Sequence, residues 1–381
     1  MKKDKDNMVK KILAAIILAL LFLPLIQGKF NIITIEKLHR VSPTAEEPSF
    51  SIESWFSTDY QSQKEKYFNE NFGFRNTAVR LDNQIAYWLF DDARAKGVIV
   101  GKDNYLYEEK YINSYINKQS QDKKYISNKT KKIKKIQDTL AALDIDLLMV
   151  IAPGKGMYYP EHIPDRYYEN ELTTNNYIYY VEEFQREKLN LIDANAWFLK
   201  IKEEAKYPLI PKLGIHWSHY GGLIAADSII SYIEDKRDVK LPRFVWDEVE
   251  LSKDSKFTDN DLEKAMNLLF KIPNIEMAYP KVSIDSTDST TNIKFLTVGD
   301  SFFWGIYHVG LPEHIFKNGD FWYYNKKIYS KNQSTSKSVE EVDLQEEVES
   351  SQVIMLMFTE ANLSGFGWGF IENLYQIYFP D

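Results

Sequence analysis

The chain has 381 residues, 44% of them hydrophobic, and 47 Lys and Arg stand against 55 Asp and Glu for a net charge of −8. No basic face emerges from that balance, which argues against nucleic acid as a partner. The absence of cysteine excludes disulfides, thiolate metal sites and a cysteine nucleophile.

In chain order, "MKKDKDNMVKK" precedes "ILAAIILALLFLPLI", a continuously apolar run at residues 12–26. A basic tag before such a run is an export signal. The run is shorter than the roughly 20 residues of a typical spanning helix. Lys11 and Lys29 can snorkel at its ends. No small-residue cleavage site follows, so an uncleaved signal anchor over residues 1–28 is expected rather than a cleaved peptide. Its lysines stay in the cytoplasm and the rest lies outside. "SPTAEEPSFS" reads as an extended linker. Apolar spacing from Ala78 to Phe90 predicts a helix. "GVIVGKDNYLYEE" reads as two short strands about a turn.

Beyond this point strands and helices alternate. The strands are "IDLLMVIAP", "LNLIDAN", "IKFLTVGDS" and "QVIMLMFTEAN". The helices are "SNKTKKIKKIQDTLAAL", "YYVEEFQREK", "SHYGGLIAADSIISYIEDK", "TDNDLEKAMNLLF" and "SVEEVDLQEEVESS". Thr258 or Asp259 is the expected N-cap of the fourth helix. The segment "KNQSTSKS", residues 331–338, reads as a polar loop. Alternation of this kind implies an α/β fold, a mostly parallel sheet covered on both faces.

Ligands bind such sheets at the carboxyl ends of the strands. Three exits carry chemistry: "APGKG" with Lys155, "GDSFF" with Ser301, and "TEANLSG" with Glu360 and Asn362. Ser301 is the leading nucleophile, with Gly299 permitting a tight turn after which Asp300 follows. A serine needs a base. His216, at a loop-to-helix junction beside Trp217, is the first choice among six histidines. Alone, Gly-Asp-Ser also reads as an ordinary turn, and a histidine beside tryptophan as a packed or capping residue. His216 and His219 as metal ligands lack an evident third ligand, so no metal and no cofactor is expected. The aromatics at 302–307 and 321–324 read as core, with a few available to line a sugar-binding cleft.

Six motifs occur in one order: "NENFGFRN", "GVIVGKDNYLYEE", "MVIAPGKGMYYPEHIP", "GIHWSHYGG", "FLTVGDSFF" and "VIMLMFTEANL". Together they resemble the SGNH-hydrolase-like proteins of the alginate O-acetylation type and the related membrane-anchored DHHW proteins. The resemblance implies a flavodoxin-like SGNH-type domain over 96–381, after a stalk and helical segment at 29–95. It implies acetyl transfer to an exported polysaccharide, with a membrane-bound O-acyltransferase supplying the acetyl group. Ser301 matches that family's nucleophile and His216 its base. The amide of Ser301 and Asn362 are the expected oxyanion donors, with Gly299, Asp300, Glu360, Lys155 and Trp217 around the substrate. One departure stands out. The family's acid lies two positions before its histidine, where this chain has Gly214. Asp193 is the first expected substitute and Glu360 the second. A dyad with a carbonyl orienter, or lost catalysis, are the other readings. A carbohydrate acetylesterase and a non-catalytic polysaccharide-binding protein remain as alternative functions.

Overall fold

The computed structural model describes residues 2–40, 45–118, 120–168, 175–285, 292–330 and 336–380. Parts of the expected linker (42–44) and polar loop (331–335) lie outside them. The chain divides into two compact units, 1–96 with 263–271, and 97–262 with 272–381.

In the first unit, Lys2–Phe30 is one helix. Its Met8–Phe30 part is long and apolar enough to cross a membrane. Helices Ile52–Phe56, Asp59–Asn71 and Arg75–Phe90 follow. The first two occupy sequence that shows no clear apolar period. Gly73, inside "NENFGFRN", lets two backbones meet: a Cβ there would lie 2.2 Å from the Pro24 carbonyl oxygen.

The second unit is built on a seven-stranded sheet. In chain order its strands are β1 (Asp146–Ala152), β2 (Leu191–Asp193), β3 (Ile293–Gly299), β4 (Lys317–Tyr323), β5 (Lys327–Ser330), β6 (Lys337–Ser338) and β7 (Val353–Thr359). The spatial order is β6-β5-β4-β3-β7-β1-β2. The five strands from β4 to β2 run parallel, while β5 and β6 extend the edge as antiparallel strands. Counted from β3, the parallel strands lie in the order 2-1-3-4-5, the doubly wound flavodoxin order. The chain simply enters that cycle at its fourth strand. This permutation is why His216 precedes Ser301 in sequence.

β3 and β7 are buried almost residue by residue, as expected when helices cover both faces. On one face Leu147, Met149 and Ile151 of β1 and Leu356 and Phe358 of β7 pack with Ile126, Ile133 and Leu140 of helix Lys123–Ala142. On the other, Phe303 of the short helix Phe303–Val309 meets Phe321 edge to face.

Two expected helices are shorter than their patterns. The span 258–270 holds only Asp261–Met266, because the backbone turns through 257–260 and Asn267 takes a left-handed conformation that stops it. The span 338–351 is a single 3-10 turn capped by Ser338, an extended Val342, and then helix Leu344–Glu349.

Candidate functional site

The switch point of the sheet lies between β3 and β7, where the crossovers diverge. Asp300 and Ser301 leave β3 there. Asp300 is fully buried. Its Oδ1 accepts the Phe302 amide at 3.0 Å. Its Oδ2 accepts the Thr359 amide (2.8 Å), the Thr359 hydroxyl (3.0 Å) and Asn362 Nδ2 (2.6 Å). A carboxylate with that many donors is held firmly. It ties the serine turn to the end of β7. Gly299 has an ordinary extended backbone, and its missing Cβ serves close approach, since one would sit 3.2 Å from the Met357 carbonyl.

His216 reaches the same edge from the loop before helix His219–Arg237. Ser218 caps that helix by accepting the Gly221 amide and is itself anchored on the Pro208 carbonyl. His216 Nε2 lies 3.0 Å from Ser301 Oγ. Its other nitrogen, Nδ1, lies 2.8 Å from Asp261 Oδ2. That is an ion-pair distance, although the ring N–H is not aligned on the oxygen as a hydrogen bond requires. Asp261 Oδ1 accepts the Ile215 amide at 3.0 Å. Serine, histidine and a carboxylate therefore stand in line, the arrangement a serine nucleophile needs.

The carboxylate at His216 is thus Asp261, not Asp193 or Glu360. Asp193 caps helix Ala194–Ile201 through the Ala196 amide and accepts the Tyr177 hydroxyl at 2.8 Å. Glu360 accepts the Ser114 hydroxyl at 2.6 Å and fills the space beside Gly154. Burial pushes Glu360 up to about 7. Gly214 explains the displacement. A Cβ there would lie 2.6 Å from the Thr258 carbonyl oxygen and 2.9 Å from Asp259. The backbone of 258–259 occupies the room an acid at 214 would need, and the same turn carries Asp261 to the imidazole. In the sequence Asp261 lies inside a helical pattern and is hidden by it. The Asp-Asn-Asp run between the histidine and the serine was the available signal.

Other expected residues are placed as follows. The Asn362 amide donates to Asp300 and to the Thr359 hydroxyl. Trp217 is buried, with its ring against those of Phe302 and Phe198. Lys155 is completely buried, and its ammonium donates to the Lys212 and Gly214 carbonyls, both at 2.7 Å. Burial pushes it well below the usual lysine range, against the pull of Asp261. Asp259, also fully buried, is pushed up to about 7 by burial, with the Tyr279 hydroxyl and the His219 amide opposing. Among the described residues no group of three His, Asp or Glu is placed to hold a metal.

Tyr324 is a site residue the sequence did not reveal. It opens the β4–β5 loop with φ of +50°, a conformation rare for a bulky side chain. Its phenol stands at Ser301, where the serine hydroxyl and amide favour its ionised form while burial raises it to about 12. From it a row of half-buried rings continues: Tyr323 at 4.6 Å, Trp368 at 4.9 Å, and Trp304 at 5.6 Å from Tyr323.

A serine–histidine–carboxylate line thus stands at the switch point of a permuted doubly wound sheet. Residues 98–255 match the family model described as "SGNH hydrolase-like domain, acetyltransferase AlgX". That match contains Lys155 and His216 and ends before Asp261 and Ser301. Two curated relatives are each named "Probable alginate O-acetylase AlgJ". The chain is 25% identical to that of Pseudomonas fluorescens and 23% to that of Pseudomonas syringae pv. tomato, over 172 residues in each case. The aligned part is 45% of this chain and 42% of each relative, so less than half of their length is spanned. Among solved structures, the O-acetyltransferase domain of Pseudomonas putida AlgJ is similar with a TM-score of 0.47 and 15% identity. It covers 74% of this chain and 99% of that one. Bacillus cereus PatB1 gives 0.43 and 12%, covering 70% and 96%.

Proposed function

We propose that this protein is a serine-dependent O-acetyltransferase acting on an exported polysaccharide. The carrying observation is the line from Ser301 Oγ through His216 to Asp261, at 3.0 and 2.8 Å. His216 Nε2 takes the Ser301 proton as Oγ attacks the carbonyl carbon of an acetyl ester or thioester. The leaving group departs with that proton, and the acetyl group stays on Ser301. A sugar hydroxyl then gives its proton to His216 and attacks the acetyl-serine, which restores the Ser301 hydroxyl. Asp261 holds the imidazole and its charge when protonated. The Ser301 amide is the nearest oxyanion donor, and the acyl oxygen displaces the Tyr324 phenol from it.

The row of half-buried aromatics beside Ser301 supports a sugar acceptor, since such rings offer flat apolar faces with polar edges. The apolar N-terminal helix supports a single-pass anchor, with this unit outside the cytoplasmic membrane and a membrane-bound O-acyltransferase as the acetyl source. The relatives' names support polysaccharide as the substrate class. The test is mass spectrometry after treatment with p-nitrophenyl acetate and an oligosaccharide. A 42 Da adduct (about one acetyl group) on the Ser301 peptide, absent from Ser301→Ala and discharged onto the sugar, is expected. An adduct that persists in Ser301→Ala removes the reading. Discharge to free acetate alone makes the protein an esterase.

A further inference from the structure

Lys155 opens the short helix after β1, completely buried. Burying an ammonium is costly unless its protons are taken up. Here two go to the carbonyls of Lys212 and Gly214, and the rings of Tyr107 and Tyr105 lie 5.5 and 5.9 Å away. What its ammonium holds is one end of a peptide unit whose other end is equally held. The Gly214 carbonyl accepts from Lys155 at 2.7 Å, and the Ile215 N–H of that same peptide donates to Asp261 Oδ1 at 3.0 Å. A donor on the carbonyl polarises the amide and strengthens the bond its N–H makes to a carboxylate. The Asp261 oxygen left over is the one at His216 Nδ1.

We infer that Lys155 is a positioning residue for the catalytic site, coupled to Asp261 through the Gly214–Ile215 peptide. Lys155, the peptide, Asp261, His216 and Ser301 form one continuous chain of contacts, each no longer than 3.0 Å. Glycine at 214 belongs to it, because a side chain there would expel the turn that brings Asp261. The ionisable groups facing Lys155 are Asp261, Lys212, Tyr105 and Tyr107. Those facing His216 are Ser301, Asp261 and Asp259. The inference rests on Asp261 acting as the orienting acid.

The experiment is a double-mutant cycle on the full chain in detergent, reading p-nitrophenyl acetate turnover in wild type, Lys155→Met, Asp261→Asn and the double variant. Lys155→Met should lower kcat about tenfold with KM within about twofold, and the double variant should be no slower than Asp261→Asn alone, because the two act as a unit. Losses that multiply, or a folded Lys155→Met with wild-type kcat, overturn the inference. Should Lys155→Met fail to fold, Asp261→Asn is read through the ¹⁵N resonance of Lys155 Nζ. A displaced resonance is expected, and an unmoved one overturns the coupling. A wild type that forms no adduct on Ser301 defeats the acetyltransferase reading instead, and leaves the resonance as the measure of the coupling.

Discussion

The serine and histidine halves of the site are fixed by different kinds of structure. Behind Ser301, Asp300 spends its carboxylate on its own turn and on Thr359 and Asn362, at the end of the neighbouring parallel strand. Strand register alone brings these together, since Met357 of β7 pairs with Gly299 of β3. Behind His216, Lys155 and Asp261 act on irregular backbone, reaching the 214–215 peptide from 59 and 46 positions away. The first half is part of the sheet's own stability. The second is an arm laid across it, more open to change without loss of the fold.

The largest expected effect falls on the arm. Asp261→Asn should cost about ten-thousand-fold in kcat, the loss seen when a serine protease's acid is neutralised. Asp193→Asn, which keeps a competent helix cap, should leave kcat within about twofold. Steady-state kinetics on both variants decides which acid serves the histidine, and equal losses would remove Asp261 from the role. The serine half should respond in stability instead. Asp300→Asn turns an amide toward groups that already donate, and should cost about 3 kcal/mol. Asp261→Asn should cost about 1 kcal/mol. Denaturant titration of the two separates them, and equal costs would erase the distinction.

The smallest effect is a pH slope. Burial raises Asp259 and Glu360 from 3.8 and 4.5 to about 7 each. Between those limits the folded chain keeps protons that the unfolded chain has released. The stability these groups give is therefore complete below about pH 4 and is lost as pH rises to about 7. Asp259→Asn and Glu360→Gln should each flatten the fall of Tm with pH over that window, one in the arm and one beside the sheet. An unchanged slope in both would mean that neither acid holds its proton.

The same division governs what could be read in advance. β3, β7 and β1 were legible as apolar runs ending in polar residues, and parallel pairing puts their exits on one edge. The pairing of Ser301 with His216 was legible because both stand where strand or loop meets helix. Asp261 was not, since its place depends on a turn through 257–260 and on the helix-stopping backbone of Asn267 rather than on any periodic pattern. Lys155 was read as a pocket residue because a lysine at a strand exit suggests a ligand. It is completely buried, with the rings of Tyr105 and Tyr107, from far earlier in the chain, 5.9 and 5.5 Å from its ammonium nitrogen. The β4–β5 hairpin, and Tyr324 with it, hid in a cluster of aromatics that carries no alternation. Its loop also uses Tyr and Asn at positive φ where glycine would have announced it.

Gly214 has a consequence for how such a site changes over generations. The carboxylate has two possible addresses, position 214 and the turn at 258–261, and they compete for the same few ångströms. In this chain the 258–259 backbone fills that room. Asp at 214 in this protein would gain a second acid only by evicting the first. A lineage crossing between the two arrangements therefore passes through a serine–histidine pair with no acid, and the residual activity of that bare pair decides whether the crossing can be survived.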